Sequence, residues 1–147
     1  MALRLVPDSC LSGHGPHLDE EFRRRVQIHQ ERRGPEWTNI EENKELSRHQ
    51  LPGRTILITA SLSGVPIFFD LEGDVNRSLE AVKEEFDRFT AQDATFIFVT
   101  NEIGAGGVSE NEVQRKFTDL LGWANQYIAS RADEVFWMVS GIPVQIK

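Results

Sequence analysis

Two short, uninterrupted apolar runs stand out along the chain, Thr95-Phe96-Ile97-Phe98-Val99-Thr100 and Val135-Phe136-Trp137-Met138-Val139. Runs of this length, rich in β-branched and aromatic residues, predict strands buried on both faces. The first leads into Asn101-Glu102-Ile103-Gly104-Ala105-Gly106-Gly107, whose three glycines permit a tight turn. Ser109 and Glu112 then stand at the spacing of a capping box and predict a helix start. Val113, Phe117, Leu120, Leu121, Ala124 and Ile128 recur at helical spacing and give that helix one continuous apolar face. Strand, helix, strand in this order predicts a right-handed, parallel βαβ unit. In parallel sheets ligands bind beyond the carboxyl ends of the strands, which is where Asn101, Glu102 and the glycines fall.

The remaining pattern is consistent with an α/β domain. Met1–Pro16 is rich in Gly, Pro, Ser and His and reads as a loop or frayed terminus. Leu18–Arg33 predicts a helix, with Asp19, Glu20 and Glu21 in its first turn and Leu18, Phe22, Val26 and His29 on one side. Glu41–Arg54 is polar and aperiodic, hence a connection or a short exposed helix. Thr55–Thr59 is a further strand. Asp70, Glu72 and Asp74 lack the glutamate that completes a calcium loop, so a solvated turn is the reading there and no metal site is assigned. Asp74 or Asn76 caps a helix running to about Phe89. Its buried side is Leu79, Val82, Phe86 and Phe89, and Glu80, Lys83, Glu84, Glu85, Asp87 and Arg88 face water.

Composition narrows the partners. With 147 residues and 39% apolar content the chain forms one α/β domain over residues 1–147, of which 1–17 are loop or poorly ordered. A formal charge of −7 argues against nucleic acid or an anionic membrane as partner, since both favour a basic surface. The single cysteine, Cys10, cannot close an internal disulfide, which fits a reducing cytoplasm. No apolar run reaches membrane-spanning length, and the apolar start is too short for a secretory signal.

The stretch Val99–Val108, together with Arg115, Phe117, Asp119, Gly122, Asn125-Gln126, Ala129, Ala132-Asp133, Val135 and Ser140-Gly141-Ile142-Pro143, resembles the C-terminal half of the adenosylcobinamide kinase / adenosylcobinamide-phosphate guanylyltransferase family of cobalamin biosynthesis. A second match is Arg25-Val26-Gln27-Ile28-His29 followed by Arg33, Trp37 and Glu41. The likeness covers Asp19–Glu41 and Ile97–Lys147 well and the middle of the chain poorly. It implies a P-loop-type, RecA-like fold of parallel strands flanked by helices, GTP (with ATP as the other nucleotide) and Mg2+ as cofactors, and a corrinoid substrate.

The resemblance also implies roles for single residues. Read from its helix alone, His29 is a neutral histidine at the edge of the core. Read through the resemblance it is the nucleophile that takes GMP from GTP, a role suited to a neutral imidazole nitrogen. Arg33 neutralises phosphate charge, and Glu41 accepts hydrogen bonds from the nucleotide. Asn101, Glu102, Gly104 and Gly106 form a loop on the substrate side. Arg115, Asp119, Asn125 and Gln126 share one helix and are either structural or subunit contacts.

Two departures from the family pattern fall on the kinase side, and smaller ones lie elsewhere. The family opens with a strand and a Gly-Lys-Ser/Thr phosphate loop, and no such tripeptide occurs in these 147 residues. Gly13-His14-Gly15 does not match the family's later nucleotide loop. Thr59 stands where the family has a carboxylate, and Ala60–Pro66 lacks the family's loop pattern. Gly34-Pro35 shifts a proline by one position, and Asn39 and Ser109 replace Thr and Pro. The expectation is a fold missing its first strand and phosphate loop, retaining guanylyl transfer with kinase activity impaired. Exposed sheet surface then predicts a homo-oligomer. The rival is an inactive paralogue serving as a nucleotide-binding or subunit-interaction module.

Overall fold

The computed structural model describes residues 2–5, 24, 28, 38–40, 45–59 and 65–147. In chain order these form β1 (Ala2–Leu5), β2 (Thr38–Ile40), a 3₁₀ turn (Leu46–Arg48), β3 (Thr55–Thr59), α1 (Val65–Asp70), α2 (Val75–Thr90), β4 (Thr95–Val99), a second 3₁₀ turn (Gly104–Gly106), α3 (Glu112–Arg131), β5 (Phe136–Val139) and β6 (Ile142–Gln145). Arg24 and Ile28 are helical and exposed; the other positions of the expected Leu18–Arg33 helix lie outside the described residues.

The first four strands make one parallel sheet in the order β2-β1-β3-β4. Ile56 pairs with Phe96 and Ile58 with Phe98, so these four residues share one face. That face is covered by α2, whose Phe86 and Phe89 are buried with Ile56 and Ile58 in a single cluster. The aromatic rings interlock: Phe89 meets Phe96 edge-on at 5.1 Å, Phe86 lies 5.2 Å from Phe98, and Phe86 meets Tyr127 of α3 edge-on at 5.9 Å. Fully burying a ring, as at Phe86 and Phe89, contributes about 1.5–3 kcal/mol. β4 alternates in exposure, with Ile97 and Val99 half open to solvent. The sequence predicted burial on both faces; among the described residues only the Phe96–Phe98 face is covered, by α2 and α3.

Of the two caps the sequence offers, Asp74 and Asn76, it is Asp74 that caps α2, accepting the N–H of Arg77 at 2.9 Å. α3 starts two residues later than the Ser109 cap predicted. Asn111 is the cap, accepting the Gln114 N–H, while Ser109 Oγ accepts the Asn111 N–H in the turn before it. Both side chains suit a cap, and the one nearer the regular helix takes that position. The buried stripe of α3 is Leu120, Leu121, Ala124 and Ile128, with Phe117 half-buried and Val113 exposed.

Three further readings are corrected. Ala2–Leu5 is a strand, not a loop: Leu3-Arg4-Leu5 alternates, and the strand lies between β2 and β3 with partners on both sides. The aperiodic Glu41–Arg54 segment carries two core residues, Leu46 and Leu51, too far apart to show a period. The solvated turn read at Asp70, Glu72 and Asp74 is present: these three are exposed, Glu72 and Gly73 turn the chain at positive φ, and α1 precedes the turn with Phe68 fully buried. Finally, β5 does not extend the parallel sheet as a βαβ unit. It pairs antiparallel with β6 from Phe136↔Gln145 to Val139↔Ile142. Ser140 (φ 51°) and Gly141 (φ 80°) are both left-handed, the conformation of a two-residue type I′ hairpin turn, which directs the chain straight back.

Candidate functional site

The candidate site is the loop that follows β4. Because β1–β4 are parallel and Thr59 pairs with Val99, the carboxyl ends of β3 and β4 lie level at one edge of the sheet. Asn101, Glu102, Gly104 and Gly106 all emerge at that edge and all are exposed.

Short hydrogen bonds give the loop its shape. The Glu102 carboxylate folds back to accept the Gly104 N–H at 3.1 Å, and Gly106 donates to the Ile103 carbonyl at 3.2 Å, closing the 3₁₀ turn. Space at Gly104 is limited by this contact, since a Cβ there would lie 2.9 Å from Glu102 Oε1. Gly107 takes φ 93° and ψ −177°, a region that essentially only glycine occupies.

Helix α3 holds both ends of the loop. At the strand side, Thr100 Oγ1 donates to Asn125 Oδ1 at 2.8 Å, and Asn125 Nδ2 donates to the Asn101 carbonyl at 3.0 Å. At the helix side, Arg115 Nη1 donates to the carbonyls of Ser109 (3.0 Å) and Glu110 (2.7 Å). Arg115 and Asn125 both make contacts within this chain. Thr100 was not singled out from the sequence at all. A signal for Asn125 was present, since it aligns at helical spacing with buried Leu121 and Ile128, a polar residue in an apolar row. Lys116 bonds to Glu112 in the first turn of α3 and, by that bond and its charge, holds the Glu112 carboxyl below the usual carboxylate range.

His29, Arg33 and Glu41 lie outside the described residues. Among the described residues no group of three His, Cys, Asp or Glu side chains gathers as a metal site. None of the described helices is long and apolar enough to cross a membrane.

The carboxyl edge of a parallel α/β sheet, where this glycine loop lies, is where proteins of this class bind their ligands. Comparison with known proteins narrows it. Residues 12–146 match the family model described as cobinamide kinase / cobinamide phosphate guanyltransferase, and the chain belongs to that family. It is 32% identical over 146 residues to the bifunctional adenosylcobalamin biosynthesis protein CobU of Escherichia coli (strain K12), covering 88% of this chain and 81% of the relative. It is 34% identical to the CobU protein of Salmonella typhimurium (strain LT2) over the same shares. The bifunctional adenosylcobalamin biosynthesis protein CobP of Pseudomonas aeruginosa is 32% identical over 139 residues, or 88% of this chain and 76% of the relative.

Proposed function

We propose that this protein transfers GMP from GTP to adenosylcobinamide phosphate in cobalamin biosynthesis, through a GMP–histidine intermediate on His29. The neutral imidazole nitrogen of His29 attacks the α-phosphorus, a P–N bond forms and pyrophosphate leaves. A phosphate oxygen of adenosylcobinamide phosphate then attacks the same phosphorus, the P–N bond breaks, and His29 is released as the corrinoid leaves carrying a diphosphate-linked guanosine. Arg33 balances phosphate charge, and Glu41, which follows the last residue of β2 in sequence, accepts hydrogen bonds from the nucleotide. The loop of Asn101, Glu102, Gly104 and Gly106 receives the corrinoid substrate.

The observation that carries this reading is the Asn101–Gly107 loop at the carboxyl edge of a parallel sheet, in a chain of this family. Mg2+ would accompany the nucleotide, held mainly by its phosphate oxygens and by water. The kinase step, with ATP or GTP as donor, is the weaker of the two activities in this reading, because Thr59 supplies no carboxylate. The protein works as a cytoplasmic homo-oligomer of one α/β domain with a RecA-like core.

The test is incubation with GTP labelled at the α-phosphate, comparing the wild type with His29→Ala. Acid-labile label on the wild type alone supports the reading. No label at saturating GTP and magnesium overturns it and leaves an inactive nucleotide-binding or subunit-interaction module.

A further inference from the structure

We propose that Asn125 is a positioning residue for the substrate loop, setting the Asn101 peptide and through it Glu102; this rests on the guanylyl-transfer reading. Asn125 is half-buried in the middle of α3, one turn from Leu121 and one turn from Ile128, both buried. A polar amide in such a row needs partners for both of its ends. It finds them at the two residues where the chain leaves the sheet. Its oxygen accepts from Thr100 and its nitrogen donates to the Asn101 carbonyl. The orientation of the amide is fixed, because a carbonyl only accepts: reversing it would set the amide oxygen against the Asn101 oxygen.

Beyond Asn101 the loop has little stiffness of its own, since Gly104, Gly106 and Gly107 leave wide backbone freedom. The direction in which Glu102 leaves the sheet is therefore set by the Asn101 peptide plane. Glu102 in turn closes on the Gly104 N–H. Asn125 touches neither nucleotide nor corrinoid in this account. It acts through the Asn101 carbonyl, and its effect falls on how well the loop receives the second substrate.

The experiment measures the two half-reactions separately in the full chain carrying Asn125→Ala, Asn125→Asp or Thr100→Val. Asn125→Asp keeps an acceptor for Thr100 but loses the donor to Asn101, whereas Thr100→Val leaves that donor in place. For both Asn125 variants the KM for adenosylcobinamide phosphate in the transfer step rises about tenfold, the scale of one lost hydrogen bond. Labelling of His29 by GTP falls much less than transfer does. Thr100→Val raises the same KM by less than about threefold. Amide hydrogen exchange of Ile103–Gly107 quickens in the Asn125 variants while the α3 amides keep their protection, which separates loop release from unfolding. A wild-type KM in Asn125→Asp, or unchanged loop exchange in either variant, overturns the proposal. If the wild type takes no label from GTP, the guanylyl-transfer reading fails by itself. The exchange measurement then still decides whether Asn125 holds the loop.

Discussion

The Glu85 carboxylate accepts two hydrogen bonds from Ser47, one from its N–H at 2.7 Å and one from its hydroxyl at 3.0 Å, across 38 positions of chain. Glu85 is only 4% exposed, although the charge pattern of α2 assigned it to water. Its second oxygen also receives Arg88 at 3.0 Å. The carboxylate therefore fastens the 3₁₀ turn at Leu46–Arg48 to α2 and holds Leu46 in the core. Glu85→Ala leaves the Ser47 N–H without its acceptor and should destabilise the fold by about 2–3 kcal/mol. Ser47→Ala keeps the backbone bond and should lose roughly 1 kcal/mol. Urea unfolding of both variants checks the order.

Tyr127 is the sole tyrosine of the chain, and its hydroxyl donates to Asp87 at 2.8 Å while accepting from Arg131 at 3.1 Å. The bond to Asp87, with burial second, raises the phenol above the ordinary tyrosine range; the Arg131 charge opposes this. A raised acid pKa in the folded state favours the protonated form. Its contribution to stability is full below the unfolded value and is lost as pH rises through the folded value. Titrating tyrosinate absorbance should thus place Tyr127 above an unfolded reference, and Asp87→Asn should bring it down. An Asp87→Asn titration that coincides with the wild type would remove Asp87 as the cause.

The three loop glycines should respond differently to alanine. Gly107→Ala forces a residue with a Cβ into a glycine-only conformation and should destabilise by about 1–3 kcal/mol. Gly106→Ala meets open space at ordinary φ, so stability should change by roughly 0.5 kcal/mol or less. Gly104→Ala displaces the Glu102 carboxylate, with little effect on unfolding but reduced transfer to the corrinoid phosphate. Thermal melts alongside transfer kinetics distinguish the three cases.

The β5–β6 hairpin presents Phe136, Trp137, Met138, Val139, Ile142 and Val144, all exposed. Trp137 pairs with Val144, so a Trp137→Lys, Val144→Glu double variant charges one face without disturbing the turn. The wild type should sediment as an oligomer and the variant as a smaller species. A stable wild-type monomer at high concentration would refute the oligomer reading.

Much of the sheet and helix pattern was legible because it is local. Thr55–Thr59, Thr95–Val99, the Asp74 cap and the α2 face of Val82, Phe86 and Phe89 follow from runs, caps and periods. What escaped depends on partners distant in sequence. Glu85 is buried only because Ser47 reaches it, and Leu46 and Leu51 are core only because a turn folds them inward. The hairpin was missed for a different reason. Ser140-Gly141 is a two-residue turn signal, and the apolar run before it pointed more strongly to a parallel strand. In the site, the Asn101–Gly107 loop was read from its glycines, while the side chains that hold it lie a helix away.

The position of β1 bears on how the chain is made. β1 is made before its neighbour β3, which follows only some fifty residues later, Ala2 pairing with Thr55. At usual rates of synthesis that is a wait of about 3–10 s. The early partner, β2, offers a two-stranded pair of only three residues, too little to persist alone. By contrast β3, α2, β4 and α3 follow one another closely and share the aromatic core, so they can assemble as soon as they are complete. β1 is thus locked in place only once that assembly presents β3. Nascent chains arrested before Thr55 has emerged should have β1 open to protease, and chains released with the α3 segment should not.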